Sequence, residues 1–183
     1  MVEANKLESG GILMTYEKGL NYALYLLSGQ MRTRKEIADK LVLKGYEAPV
    51  IESVLQILDE NKYLDDVNYA QIYIRSKRSK YGDYRLDLAL IKKGVSQHDL
   101  HLARQLLEED ASDDYISAEE IAEKVLEKKI AVTEIDWDRV GSDYAYKGKL
   151  YQKFASFLAG RGFSGGIIKK VVGKRLSQEF FDE

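Results

Sequence analysis

At 183 residues, the chain carries 28 Lys plus Arg against 30 Asp plus Glu, a formal net charge of -2; this length buries roughly 70% of the unfolded surface, so folding needs no disulfide or metal. The absence of cysteine excludes thiol nucleophiles, iron–sulfur clusters and cysteine-ligated zinc, and suits a reducing compartment. No apolar run approaches the roughly 18 residues of a membrane span and no signal core opens the chain, so a cytoplasmic protein without membrane contact is expected.

Residues 1–15, with Gly10 and Gly11, read as a flexible tail. A first three-helix repeat is predicted over 16–63. Its opening helix, about Lys18 to Ser28, aligns Leu20, Ala23, Leu24 and Leu27 on one stripe, and Thr33 with Glu36 forms a capping box for the second. Ile37 and Leu41 then lead to Gly45, after which Glu47 is the N-cap of a third helix with Pro49 in its first turn. A second repeat spans 64–110: Asp65 caps a helix carrying Tyr69, Ala70, Tyr73 and Ile74, then Leu86 and Leu90 precede Gly94, and Ser96 caps the helix of Leu100. A third spans 115–178, with a Ser117–Glu120 capping box before Ile121, Val125 and Leu126, then Phe154 and Leu158 before Gly162, and Ser164 before Ile168. It is longer than the others by an insertion around 130–147. The β-branched run Ile130–Ile135 and the lone Trp137 leave a strand, a loop or a longer helix open there.

The same corner recurs at Gly45, Gly94 and Gly162. A helix end leaves carbonyls unpaired, and a glycine in the left-handed conformation just past the end lets the following N–H groups satisfy them. The apolar pairs that accompany such a corner are Tyr46 with Leu41, Val95 with Leu90, and Phe163 with Leu158. Tyr46, Val95 and Phe163 also staple onto Ile51, Leu100 and Ile168 of the next helix. The expected fold is therefore all-α: three tandem three-helix repeats forming an elongated, curved array.

Catalytic carriers are missing from the pattern, and a non-enzyme without cofactor or metal is expected. His98 and His101 stand three apart without a third ligand, Gly165–Gly166 lacks the ending of a phosphate loop, and Asp65–Asp66 and Asp113–Asp114 fall where caps and loops account for them. Charge is instead distributed in blocks. An acidic stretch from Glu108 to Glu123 separates two basic regions, which could face phosphates while the acidic block faces a basic protein. Solvated helix faces are the plain alternative for any single residue. The candidate contact residues are Arg75, Lys77, Arg78, Lys80, Tyr81, Tyr84, Arg85, Lys92 and Lys93 in the middle repeat, and Lys169, Lys170, Lys174 and Arg175 in the last. Tyr81 and Tyr84, near a turn, suit stacking on unpaired bases; Tyr69 and Tyr73, at helical spacing, suit packing.

The phrases YALYLLSGQMRTRKEIADKLVLKGY (Tyr22 to Tyr46), VIESVLQILDENKYLDDVNYAQIYIRSK (Val50 to Lys77), RLDLALIKKGV (Arg85 to Val95) and KLYQKFASFLAGRGFSGGIIKKVV (Lys149 to Val172), in this order, resemble the RecX regulatory proteins of bacteria. The resemblance implies tandem three-helix repeats that bind the RecA recombinase filament and usually restrain its strand exchange and ATPase, with single- and double-stranded DNA approached by basic faces. A monomer is expected. Where many members read Arg-Pro before the second helix, this chain has Gln30 and Met31 and keeps Arg32. The alternative is a helix-turn-helix protein acting on free DNA, and a third class is a helical scaffold for another protein.

Overall fold

The computed structural model describes residues 2–110 and 116–178, and their side chains over 15–110 and 116–177. Among these residues all regular structure is helical: α1 Val2–Gly29, α2 Arg34–Leu43, α3 Ala48–Glu60, α4 Asp66–Lys77, α5 Asp83–Lys92, α6 Gln97–Glu109, α7 Ala118–Ile130, α8 Trp137–Ser142, α9 Tyr144–Ala159 and α10 Gly165–Gln178. The backbone divides into two compact units. One comprises the residues up to Ile72 with Leu90–Glu108; the other comprises Tyr73–Ala89 with the residues from Glu109 on. The boundary falls within α4 and α5, so the helices read as a middle repeat are apportioned between the units.

The corners take the bonding that the glycines dictate. Gly45, Gly94 and Gly162 have φ of 82°, 95° and 84°. At each, the glycine N–H donates to the carbonyl three residues back, Val42, Ile91 and Ala159 at 2.9 Å. The next N–H donates five back: Tyr46 to Leu41 at 3.2 Å, Val95 to Leu90 at 3.1 Å, and Phe163 to Leu158 at 3.3 Å. Two carbonyls are thus satisfied per corner. A fourth corner has the same pair of bonds without a glycine: Lys62, at φ 58°, donates to Asp59 and Tyr63 donates to Leu58.

Caps fix the helix starts. Thr33 with Glu36 and Ser117 with Glu120 make reciprocal capping boxes. Asp65, Ser96 and Ser164 accept from the N–H groups of Asn68, Asp99 and Ile167. Glu47 occupies the N-cap of α3 but its side chain makes no capping bond; Pro49, whose ring needs no partner for a missing N–H, opens that helix instead.

In the first unit, α1, α2 and α3 pack together over Ala23, Ile37, Leu41, Val54 and Leu58, all fully buried. In the second, α7, α9 and α10 enclose Leu126, Phe154, Leu158, Val172 and Leu176, with α8 against α9. Two segments differ from the sequence reading. α1 begins at Val2, not near Lys18: its backbone stays helical through Gly10 and Gly11, at a propensity cost of about 1 kcal/mol each. The insertion resolves into a helix. Asp136 accepts from the N–H of Arg139 to cap α8, Asp143 accepts from Tyr146 to cap α9, and Trp137 packs on the core of the second unit. Asp113 and Asp114 lie outside the described residues.

Candidate functional site

The second unit contains a groove of about 420 Å³. Three segments build it: Ser79, Lys80 and Tyr81 from the turn after α4; Val125, Lys128 and Lys129 from the last turns of α7, with Val132 just beyond; and Phe157 from the last turn of α9, with Arg161 in the corner that follows. Its lining holds four cations and no carboxylate. The polarity of α7 accounts for two of them, since Glu119 and Glu120 occupy its first turn and Lys128 and Lys129 its last, the arrangement that the helix dipole favours. One ring carries two of the cations. The Arg161 guanidinium lies 3.7 Å from the centre of the Phe157 ring and the Lys129 ammonium 5.6 Å from the same ring. Arg85 lies 4.6 Å from the Tyr81 ring while donating to the Gly160 carbonyl at 2.6 Å.

The cations predicted from sequence divide by environment. Lys80 and Tyr81 line the groove. Arg85 is committed to the corner before Gly162, and Arg78 donates to the Ile116 carbonyl at 2.7 Å. Arg75 pairs with Asp110, Lys170 with Glu119 at 2.6 Å, and Lys174 with Glu123 at 2.9 Å. Glu123 holds the exposed Lys174 ammonium above the usual lysine range. Arg175 sits 5.5 Å from the Trp137 ring. It also borders, with Lys174, Glu123 and Glu127, a smaller cavity of about 90 Å³ in which both charge signs meet. Lys77, Tyr84, Lys92 and Lys169 are exposed.

Lys93 has an architectural place in the first unit. Its carbonyl accepts from the fully buried Thr33 hydroxyl at 2.6 Å, and its ammonium donates to Glu36 at 2.6 Å beside the Tyr69 ring. The Glu36 carboxylate, followed by Tyr69, raises the Lys93 pKa well beyond the ordinary lysine value. Nearby, burial pushes the Asp66 carboxyl up against the pull of the Arg34 N–H that it accepts at 3.0 Å. These groups join α2, the residues after α5 and the start of α4.

Lys128, Lys129, Phe157 and Arg161 escaped the sequence reading of the site. The first two follow an acidic helix start and the last two precede a structural glycine, so only the fold brings them together. His98 and His101 are exposed on α6, and among the described residues no group of three His, Asp or Glu is placed to hold a metal ion.

Comparisons with known proteins agree with this architecture. A family model described as RecX, first three-helix domain, matches residues 20–58. The chain is 33% identical over 165 residues to regulatory protein RecX of Mycobacterium sp. (strain KMS), covering 89% of this chain and 84% of that one. It is 32% identical over 165 residues to regulatory protein RecX of Clostridium perfringens (strain SM101 / Type A), covering 88% and 70%. The crystal structure of RecX from Lactobacillus salivarius superposes with a TM-score of 0.69 at 29% identity, over 88% of this chain and 97% of the other. Another crystal structure, of regulatory protein RecX, shares the fold with a TM-score of 0.66. An all-helical chain with recurring glycine corners, similar over most of its length to these proteins, belongs to the RecX family of regulatory proteins.

Proposed function

We propose that this chain binds the filament formed by the RecA recombinase on DNA and restrains its strand exchange and ATP turnover. The carrying observation is membership in a family of regulatory proteins across nearly nine-tenths of the chain. The chain acts by occupancy: it breaks no bond, works as a monomer in the cytoplasm, and needs no cofactor. Two physical features support this reading. Repeated helical modules offer lateral helix faces suited to a polymer, and the cations lining the groove in the second unit suit the phosphates of the filament's nucleic acid.

The test is RecA-driven ATP hydrolysis on single-stranded DNA as the chain is added below equimolar amounts. A fall in turnover is expected. Unchanged turnover at saturating chain overturns the proposal, and tighter, base-selective binding to free duplex than to filament in matched salt replaces it with the helix-turn-helix alternative.

A further inference from the structure

In the second unit several cations outside the groove are matched by carboxylates. Lys170 and Lys174 are matched by Glu119 and Glu123, Arg75 by Asp110, and Arg139 by Asp143. Lys80, Lys128, Lys129 and Arg161 converge on one concavity, and none of them pairs with a carboxylate among the described residues. The helix dipole accounts for a preference for cations at the end of α7, but not for Lys80 and Arg161 reaching the same space from other segments. Four like charges brought together raise the energy of the empty groove, and a polyanion lowers it.

The ligand must offer several phosphates and an apolar flat face. A volume of about 420 Å³ suits one or two nucleotide units and is far too narrow for a duplex. The groove also contains what an unpaired base requires: the Phe157 ring with the Arg161 guanidinium stacked on it, and the Tyr81 ring at the opposite segment. Bases stack on aromatic rings and on guanidinium planes alike, while lysines follow the backbone.

We propose that this groove binds a single strand of DNA, with phosphates on Lys80, Lys128 and Lys129 and a base against the Phe157–Arg161 stack. The choice of DNA rests on the filament reading above; the single-strand chemistry rests on the groove. The assignment gives the chain its own hold on the strand, separate from any contact with the recombinase.

The test is fluorescence anisotropy of a labelled oligothymidylate with the full chain, without RecA, over a series of salt concentrations. The double variant Lys80→Gln/Lys128→Gln is expected to bind about tenfold more weakly, with a log–log salt slope shallower by about 1.4, that is about 0.7 for each phosphate no longer neutralised. Lys129→Gln, at a different position of the same helix, is expected to show a smaller loss in the same direction. Phe157→Leu is expected to weaken binding at least about fivefold with the salt slope unchanged, since stacking is not a counterion effect. Lys40→Gln, an exposed cation on α2 in the first unit, is the control and keeps wild-type binding. Wild-type affinity in both lysine variants overturns the assignment, as does an equal loss in Lys40→Gln. Displacement of the oligonucleotide by equimolar pyrophosphate or duplex also overturns it, by showing a small-anion or duplex site. Strand binding through the groove by a chain that leaves RecA turnover unchanged supports the groove and overturns the filament reading alone.

Discussion

Replacing Gly162 by alanine separates two contributions that the corners combine. A side chain at φ 84° costs about 1–2 kcal/mol through the left-handed conformation alone. At Gly162 the added Cβ would also lie 2.5 Å from the backbone nitrogen of Arg85 and 2.5 Å from its Cβ. That overlap requires a backbone shift. Because the same backbone bears the Gly82 N–H bond to the Arg161 carbonyl, at 2.9 Å, the shift disturbs packing at a cost of about 1–3 kcal/mol. The expected loss is therefore about 2–5 kcal/mol. Gly45 is the control: its φ is 82°, nothing lies within 4 Å of an added Cβ, and Gly45→Ala should cost only about 1–2 kcal/mol. Urea unfolding followed by circular dichroism, with amide exchange at Phe163 and Tyr46 to place each loss in its unit, measures the difference. Arg85→Ala should not rescue Gly162→Ala, since the backbone nitrogen remains. Equal losses at Gly45 and Gly162, or rescue by Arg85→Ala, would refute the reasoning.

Lys62→Gly should stabilise the chain by about 1 kcal/mol, raising the urea midpoint, because the corner at φ 58° holds a side chain in the conformation that glycine adopts without strain. Thr33→Val should cost about 1–3 kcal/mol in the same assay, by removing the acceptor for the Glu36 N–H and leaving the Lys93 carbonyl without its donor in a fully buried setting. Acid should weaken the second unit. Ser117, through its N–H and hydroxyl, holds the Glu120 carboxyl below its ordinary value of 4.5, and Arg139 with the Tyr146 N–H holds Asp143 below 3.8. A carboxyl lowered in the folded state adds stability that is complete above the unfolded value and disappears as pH falls through the folded one. The midpoint should thus decline below those ordinary values, and Glu120→Gln with Asp143→Asn should flatten the decline by a small amount, both groups being solvent-exposed.

The helix ends were legible because caps and corners are local. Leu41, Gly45 and Tyr46 lie within six consecutive positions, and so do the bonds they make. Lys62 was missed because nothing about lysine announces a positive φ; the apolar pair Leu58 and Tyr63, at the offset of the glycine corners, was the available signal. The extension of α1 ran against two glycines and no visible cap. The site was less legible than the fold, since charge on a sequence does not show its partner. Lys170 and Lys174, four apart, face Glu119 and Glu123, also four apart, across 51 positions. Lys128 and Arg161 acquire meaning only when α7 and α9 end beside the same turn.

The proposed regulation of a RecA filament, with the groove taking part through the DNA, is tested in one assay. The most direct measurement is RecA-driven ATP turnover on single-stranded DNA, titrated side by side with the wild-type chain and with Lys80→Gln/Lys128→Gln. Turnover should fall with the wild-type chain at substoichiometric amounts, and the variant should need about tenfold more to reach the same fall. Unaltered turnover with the wild-type chain, or identical titrations for the two proteins, would contradict it.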